Sequence, residues 1–125
     1  MKLRIRGDSL RLRLVRSELD RLLTHGAVEE AIHFPGGQAL RYRLETHPHA
    51  PNVSARLETG LVSIALPKAA AEAWGASEQE GLAAEVPLDS GTLRVLVEKD
   101  FPCNVTRPHE DDRDAFPRTT PAAKC

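Results

Sequence analysis

Aromatic side chains are scarce in this chain of 125 residues: Phe34, Tyr42, Trp74, Phe101 and Phe116 are the whole set. A surface that grips single-stranded nucleic acid stacks bases on interleaved aromatics, and these five are too dispersed to build one. Cysteine is rarer still. Cys103 and Cys125 both fall in the last quarter of the chain, whereas stapled secreted domains spread an even cysteine set along their length. The expected state is two reduced thiols. Long hydrophobic runs are missing too: Met1-Lys2-Leu3-Arg4-Ile5-Arg6 alternates charge with apolar residues, without the uninterrupted apolar stretch of about 7–15 residues a signal peptide needs. No stretch approaches the roughly 18 apolar residues of a membrane span. The expectation is a cytoplasmic protein that neither enters nor coats a membrane. Excess charge of one sign is absent as well. Seventeen basic residues stand against 18 acidic ones for a net charge of −1, which argues against sequence-specific nucleic-acid recognition.

What is present is a globular mixture, 41% hydrophobic and 28% charged, at 13.7 kDa. A chain of this size forms one domain and buries roughly two thirds of the surface it exposes unfolded. A core without disulfide or metal staples is within its reach.

Period-two alternation appears in Leu3-x-Ile5 and Leu10-x-Leu12-x-Leu14 around Gly7-Asp8, the pattern of a hairpin closed by a tight turn. Ser17, followed by Asp20, predicts a helix start. Leu19, Leu22 and Leu23 give that helix an apolar stripe, and Gly26 stops it. Residues 28–34 and 39–45 then predict two strands around Pro35-Gly36-Gly37-Gln38. The order repeats at an offset of 52, with Leu10, Leu12 and Leu14 falling on Val62, Ile64 and Leu66. Strands are expected over 53–58 and 61–66, and Pro67 opens a second helix ended by Gly75. Further strands follow at 81–86 and 92–98, where the offset becomes 53 and Leu40, Tyr42 and Leu44 meet Leu93, Val95 and Val97. The match is one of pattern, with little identity.

The fold class is therefore α+β. Two similar β-β-α-β-β halves, 1–46 and 53–99, form a mostly antiparallel sheet with two short helices, within a single domain over 1–100. Pseudo-twofold packing could close that sheet into a barrel. After Asp100 periodicity ends, and residues 101–125 hold four of the nine prolines and the cluster Glu110-Asp111-Asp112-Asp114. Residues 101–117 are expected to pack on the domain through Phe101 and Phe116, and 118–125 to fray.

Three constellations could carry chemistry. Arg4, Arg6, Arg11 and Arg13, with Lys2, share outward parity in the first hairpin, and Arg41 and Arg43 have the same parity around Tyr42. Seven cations on one side could collect phosphate or carboxylate, arginine doing so bidentately; the bland reading is a solvated sheet face. Cys103, His109 and Asp111, among other carboxylates, are ligand types a Zn²⁺-like ion accepts, although no C-x-x-C or H-E-x-x-H spacing occurs. Here the bland reading is a solvated acidic segment with a free thiol. Cys103 could also serve as a nucleophile with His109 as base. The acidic segment 110–114 could instead dock on the basic first hairpin, since residues 1–16 carry six basic residues and one acidic. No Gly-rich phosphate loop or nucleophile elbow is present.

The segments Lys2-Leu3-Arg4-Ile5-Arg6-Gly7-Asp8-Ser9-Leu10-Arg11-Leu12-Arg13-Leu14 and Glu98-Lys99-Asp100-Phe101, Cys103, Arg107-Pro108, Glu110-Asp111, Asp114-Ala115-Phe116-Pro117 resemble a family of small bacterial proteins of unknown function. The resemblance spans nearly the whole chain, departing at Asn104 and at Arg118-Thr119. It implies a bacterial cytosolic domain and no substrate. The reading favoured on all these grounds is a small non-catalytic binding domain for an acidic partner or a small anionic ligand, without a cofactor and able to form a homodimer. The rival is a metal- or thiol-dependent protein centred on Cys103.

Overall fold

The computed structural model describes residues 1–101. Eight strands and two helices follow one another as β1 (Lys2–Ile5), β2 (Ser9–Leu14), α1 (Arg16–His25), β3 (Ala27–Phe34), β4 (Gln38–His47), β5 (Ser54–Glu58), β6 (Leu61–Pro67), α2 (Lys68–Gly75), β7 (Gly81–Pro87) and β8 (Thr92–Lys99). This is the expected α+β order, β-β-α-β-β twice.

The strands form two four-stranded sheets, ordered β1-β2-β8-β7 and β3-β4-β6-β5. Each sheet takes one hairpin from each half. The hairpins are antiparallel, and each sheet is joined at its centre by a parallel pair, β2 with β8 and β4 with β6. In the first join Leu10 faces Val95 and Leu12 faces Val97. In the second, Val62 faces Tyr42 and Ile64 faces Leu44. The 52- and 53-residue offsets turn one set of partners into the other, so the two halves are similar in pairing as well as in element order. The first turn of each half agrees: Gly7 has φ of 56° and Thr59, its counterpart, has φ of 46°.

The closure into a barrel that the pattern left open does not occur among the described residues. Each sheet ends in two edge strands, β1 and β7 in one, β3 and β5 in the other, because four strands curl too little to meet and the second sheet supplies the opposite wall instead. Leu10, Leu12, Leu14, Val95 and Val97 from the first sheet share one core with Val28, Leu44, Ile64 and Leu66 from the second. Leu19 and Leu22 of α1 and Ala71 and Trp74 of α2 complete that core. Trp74, which the 52-residue offset sets on Leu22, is fully buried as Leu22 is, and its indole N–H donates to the Glu80 carbonyl at 3.2 Å.

Two helix starts differ from expectation. β2 runs on to Leu14, so Val15 takes the cap position of α1 and Ser17 lies inside the helix. Glu18, three residues past that cap, accepts the Val15 N–H at 2.9 Å. Pro67 ends β6 and caps α2, whose first helical residue is Lys68.

Candidate anion-binding site

The inward parity of Leu10, Leu12, Val95 and Val97 fixes what the other face of the first sheet presents. Strand register arranges that face in rows. Lys2, Arg13, Glu98 and Gly81 form one; Arg4, Arg11, Leu96 and Ala83 form the next; Ser9, Arg94 and Glu85 form a third. The Arg6 N–H donates to the Ser9 carbonyl at 3.0 Å, which places Arg6 beside the third row.

The rows differ in electrostatics. In the first, Arg13 and Glu98 are both buried, and Arg13 Nε lies 2.5 Å from Glu98 Oε1. Arg11 Nε stands 3.9 Å from the same oxygen. Lys2 pairs with Asp100 at 3.0 Å. The third row opens into a concavity of about 560 Å³ lined by Ser9, Arg11, Ala83, Ala84, Glu85, Arg94, Val95 and Leu96. β7 turns only the small side chain of Ala83 to this outer face, because Ala84 lies opposite Val95 and points inward. Arg94 is exposed and closes no ion pair among the described residues, although Glu85 is its cross-strand neighbour. Two guanidiniums and a hydroxyl therefore border a shallow cavity with one carboxylate at its rim.

The arginines expected to share one side are divided. Arg4, Arg11 and Arg13 lie on the first sheet and Arg6 in the turn between its β1 and β2, whereas Arg41 and Arg43 lie on β4 of the second. Parity along a strand is local; it sets the face within a sheet and says nothing about which sheet a distant strand joins. Arg43 pairs with Glu29 at 3.6 Å and Glu45 at 3.4 Å, and Arg41 is exposed. Of the first-sheet arginines, Arg13 is committed to Glu98 and Arg11 borders the concavity.

Cys103, His109 and Asp111 lie outside the described residues, as do the acidic segment 110–114, the remainder of 101–117 and the tail 118–125. Among the described residues no three His, Cys, Asp or Glu side chains gather closely enough to hold a metal ion. His47 Nε2 meets Glu45 at 2.7 Å, on the carboxylate that Arg43 also contacts. No helix of the described residues is long and apolar enough to cross a membrane.

A family model for proteins of unknown function matches residues 1–120. The chain belongs to that family, DUF7009. No curated protein and no solved structure matches it. The match agrees with the resemblance carried by the two ends of the sequence, and DUF7009 brings no substrate or reaction with it.

Sequence reasoning missed Ser9, Glu85 and Arg94. The signal was available for Arg94, since the alternation Leu93, Val95, Val97 turns it outward just as Leu10 and Leu12 turn out Arg11. It also missed a second charged cluster. The α-ammonium of Met1 is out of solvent and contacts the carboxylates of Glu18 and, at 3.0 Å, Glu30. The Tyr42 hydroxyl donates to Glu30 at 2.9 Å and lies 3.2 Å from the Met1 carbonyl oxygen. Burial opposes the charge on the amine, but hydrogen bonds to Glu18 and Glu30 outweigh it and raise its pKa. Burial likewise opposes the Glu30 carboxylate, and its bonds from the amine and Tyr42 outweigh that and lower its pKa. Burial and the neighbouring Glu30 both push the Tyr42 phenol up. Nothing in a linear pattern announces this cluster, because its four members come from the chain start, α1, β3 and β4.

Proposed function

We propose that this DUF7009 domain is a non-catalytic binding module for a small anionic ligand, seated in the concavity on the outer face of the first sheet. The observation that carries the reading is the exposed Arg94 on the lining of a concavity that Arg11 and Ser9 also border. Guanidinium groups recognise carboxylate and phosphate oxygens through paired N–H donors, and the Ser9 hydroxyl can add a donor. Glu85 at the rim favours a ligand that also carries a hydroxyl or ammonium group, which a carboxylate can accept from. A further part of the proposal is a bacterial cytoplasmic setting, in keeping with the family resemblance.

The test is calorimetric titration of the full chain with inorganic phosphate, pyrophosphate and citrate at low and high salt. Binding of at least one probe is expected, with Arg94→Ala weakening it by about tenfold and added salt weakening it further. Arg94 is exposed, so the variant keeps its fold; an unchanged circular dichroism spectrum checks this. Absence of binding by all three probes, or binding indifferent to Arg94→Ala, overturns the reading.

A further inference from the structure

The four sheet edges are unequally guarded. Natural edges are protected by shortness, by exposed charge or by proline. β1 has four residues and exposes Lys2 and Arg4; β5 has five and exposes Arg56 and Glu58; β7 begins at Gly81 and ends at Pro87. β3 is the longest of the four at eight residues and has no proline, and its exposed charges, Glu29 and Glu30, sit in its first half. It also carries two large exposed apolar side chains, Ile32 at 51% and Phe34 at 52% exposure.

The backbone of β3 shows what that edge can accept. The Thr46 N–H donates to the Gly26 carbonyl at 2.9 Å just before β3 begins, and the register continues as Ala27 with Glu45 and Val28 with Leu44. Antiparallel hydrogen bonding alternates from residue to residue. Val28, Glu30, Ile32 and Phe34 therefore point their N–H and C=O groups toward β4, and Glu29, Ala31 and His33 point theirs away from the sheet. Those outward groups are an unpaired template among the described residues.

We infer that β3 pairs antiparallel with β3 of a second copy of this chain, about a twofold axis at Ala31, joining two four-stranded sheets into one of eight strands. Centring at Ala31 sets outward-bonding residues opposite one another, as a ladder requires. It places the Glu29 carboxylate opposite the imidazole of His33 in the partner, Val28 beside the partner's Phe34, and Glu30 beside the partner's Ile32. Neighbouring registers are worse on charge. An axis at Glu29 or Glu30 opposes like carboxylates, which is unfavourable across strands. An axis at Ile32 moves Glu29 opposite Pro35, which has no N–H to donate. The Ala31 register is the one that complements charge while covering Phe34. The interface uses the second sheet, so it leaves the anion site on the first sheet open and stands independently of it.

Sedimentation equilibrium of the full chain decides this. A dimer of the 13.7 kDa chain is expected. Ala31→Pro removes only an outward N–H, which a strand edge tolerates, and should give a monomer with an unchanged far-ultraviolet circular dichroism spectrum. Glu29→Lys should weaken the dimer by about tenfold, and Glu29→Lys with His33→Glu should restore it. Glu29 contacts Arg43 only as an exposed pair at 3.6 Å, so the charge swap tests pairing even if the proline variant fails to fold. A wild-type monomer up to the solubility limit, or a dimer that keeps its affinity in Glu29→Lys, overturns the inference.

Discussion

Arg13 and Glu98 meet across the parallel β2–β8 pair, Nε to Oε1 at 2.5 Å, with both side chains buried and a separation of 85 positions along the chain. The contact ties the first hairpin of one half to the last strand of the other. Its counterpart in the second parallel join sets Ala65 against Glu45, so the ion pair belongs to one sheet alone.

Removing one member of that pair takes its nearest counter-charge from a buried ion. Glu98→Gln is expected to destabilise the fold by about 3–5 kcal/mol, and replacing both residues with apolar ones of similar volume to cost markedly less. Urea unfolding of the two variants measures this. Equal losses would show that Arg13 gains nothing specific from Glu98.

The Met1 cluster makes stability depend on pH in a defined direction. The amine has its pKa raised above an ordinary 8.0, so its contribution is complete below pH 8 and is lost as pH rises through the raised value. The Glu30 pKa is lowered from an ordinary 4.5, so its contribution is complete above that and is lost as pH falls through the lowered value. Glu30→Gln should lower the urea midpoint at pH 7. The gap from wild type should shrink as pH climbs past the titration of the amine, since a neutral amine gains little from a carboxylate. A gap that stays constant from pH 7 to pH 10 would place the effect of Glu30 elsewhere.

Gly81 lies opposite Glu98 at the edge of the same sheet. A Cβ there would stand 2.6 Å from the Val97 carbonyl oxygen and 3.0 Å from Glu98 Cβ, and neither neighbour is the free end of a flexible side chain. Gly81→Ala is expected to cost about 1–3 kcal/mol, as overpacking does, and to disturb the Arg13–Glu98 contact. Thermal melts check the first point. A melting temperature equal to wild type would mean that β7 shifts at no cost.

Much of the architecture was legible because it is local. Alternation in Leu10, Leu12 and Leu14 gives a strand at any position in space, and Gly26 ends α1 with φ of 86° because glycine tolerates the left-handed region. The helix starts were less legible. Ser17 has the chemistry of a cap, yet β2 extends to Leu14 and leaves Val15 as the last non-helical residue, with Glu18 in place to accept its N–H.

The candidate site was legible only in part. Arg11 could be read as outward from its neighbours, but whether an outward arginine meets solvent or a buried carboxylate depends on which strand lies beside it. Arg13 has the same parity as Arg11 and is buried against Glu98, because β8 arrives from the far end of the domain. Arg94 was reachable by the same parity argument, whereas its partnership with Arg11 around one cavity required knowing that β2 and β8 are neighbours.

By itself, a sequence poor in aromatics, cysteines, apolar runs and net charge determined, through its alternation and turns, an α+β fold of two similar halves. Side-chain periodicity and turn residues suffice for that, since they act over a few positions. Only the tertiary structure decided that the halves exchange hairpins to form two sheets, that the cations divide between those sheets, and that Met1 anchors to Glu18 and Glu30. Those outcomes depend on pairings between residues remote in sequence, whose energies come from burial and charge contact and leave no mark on the local pattern.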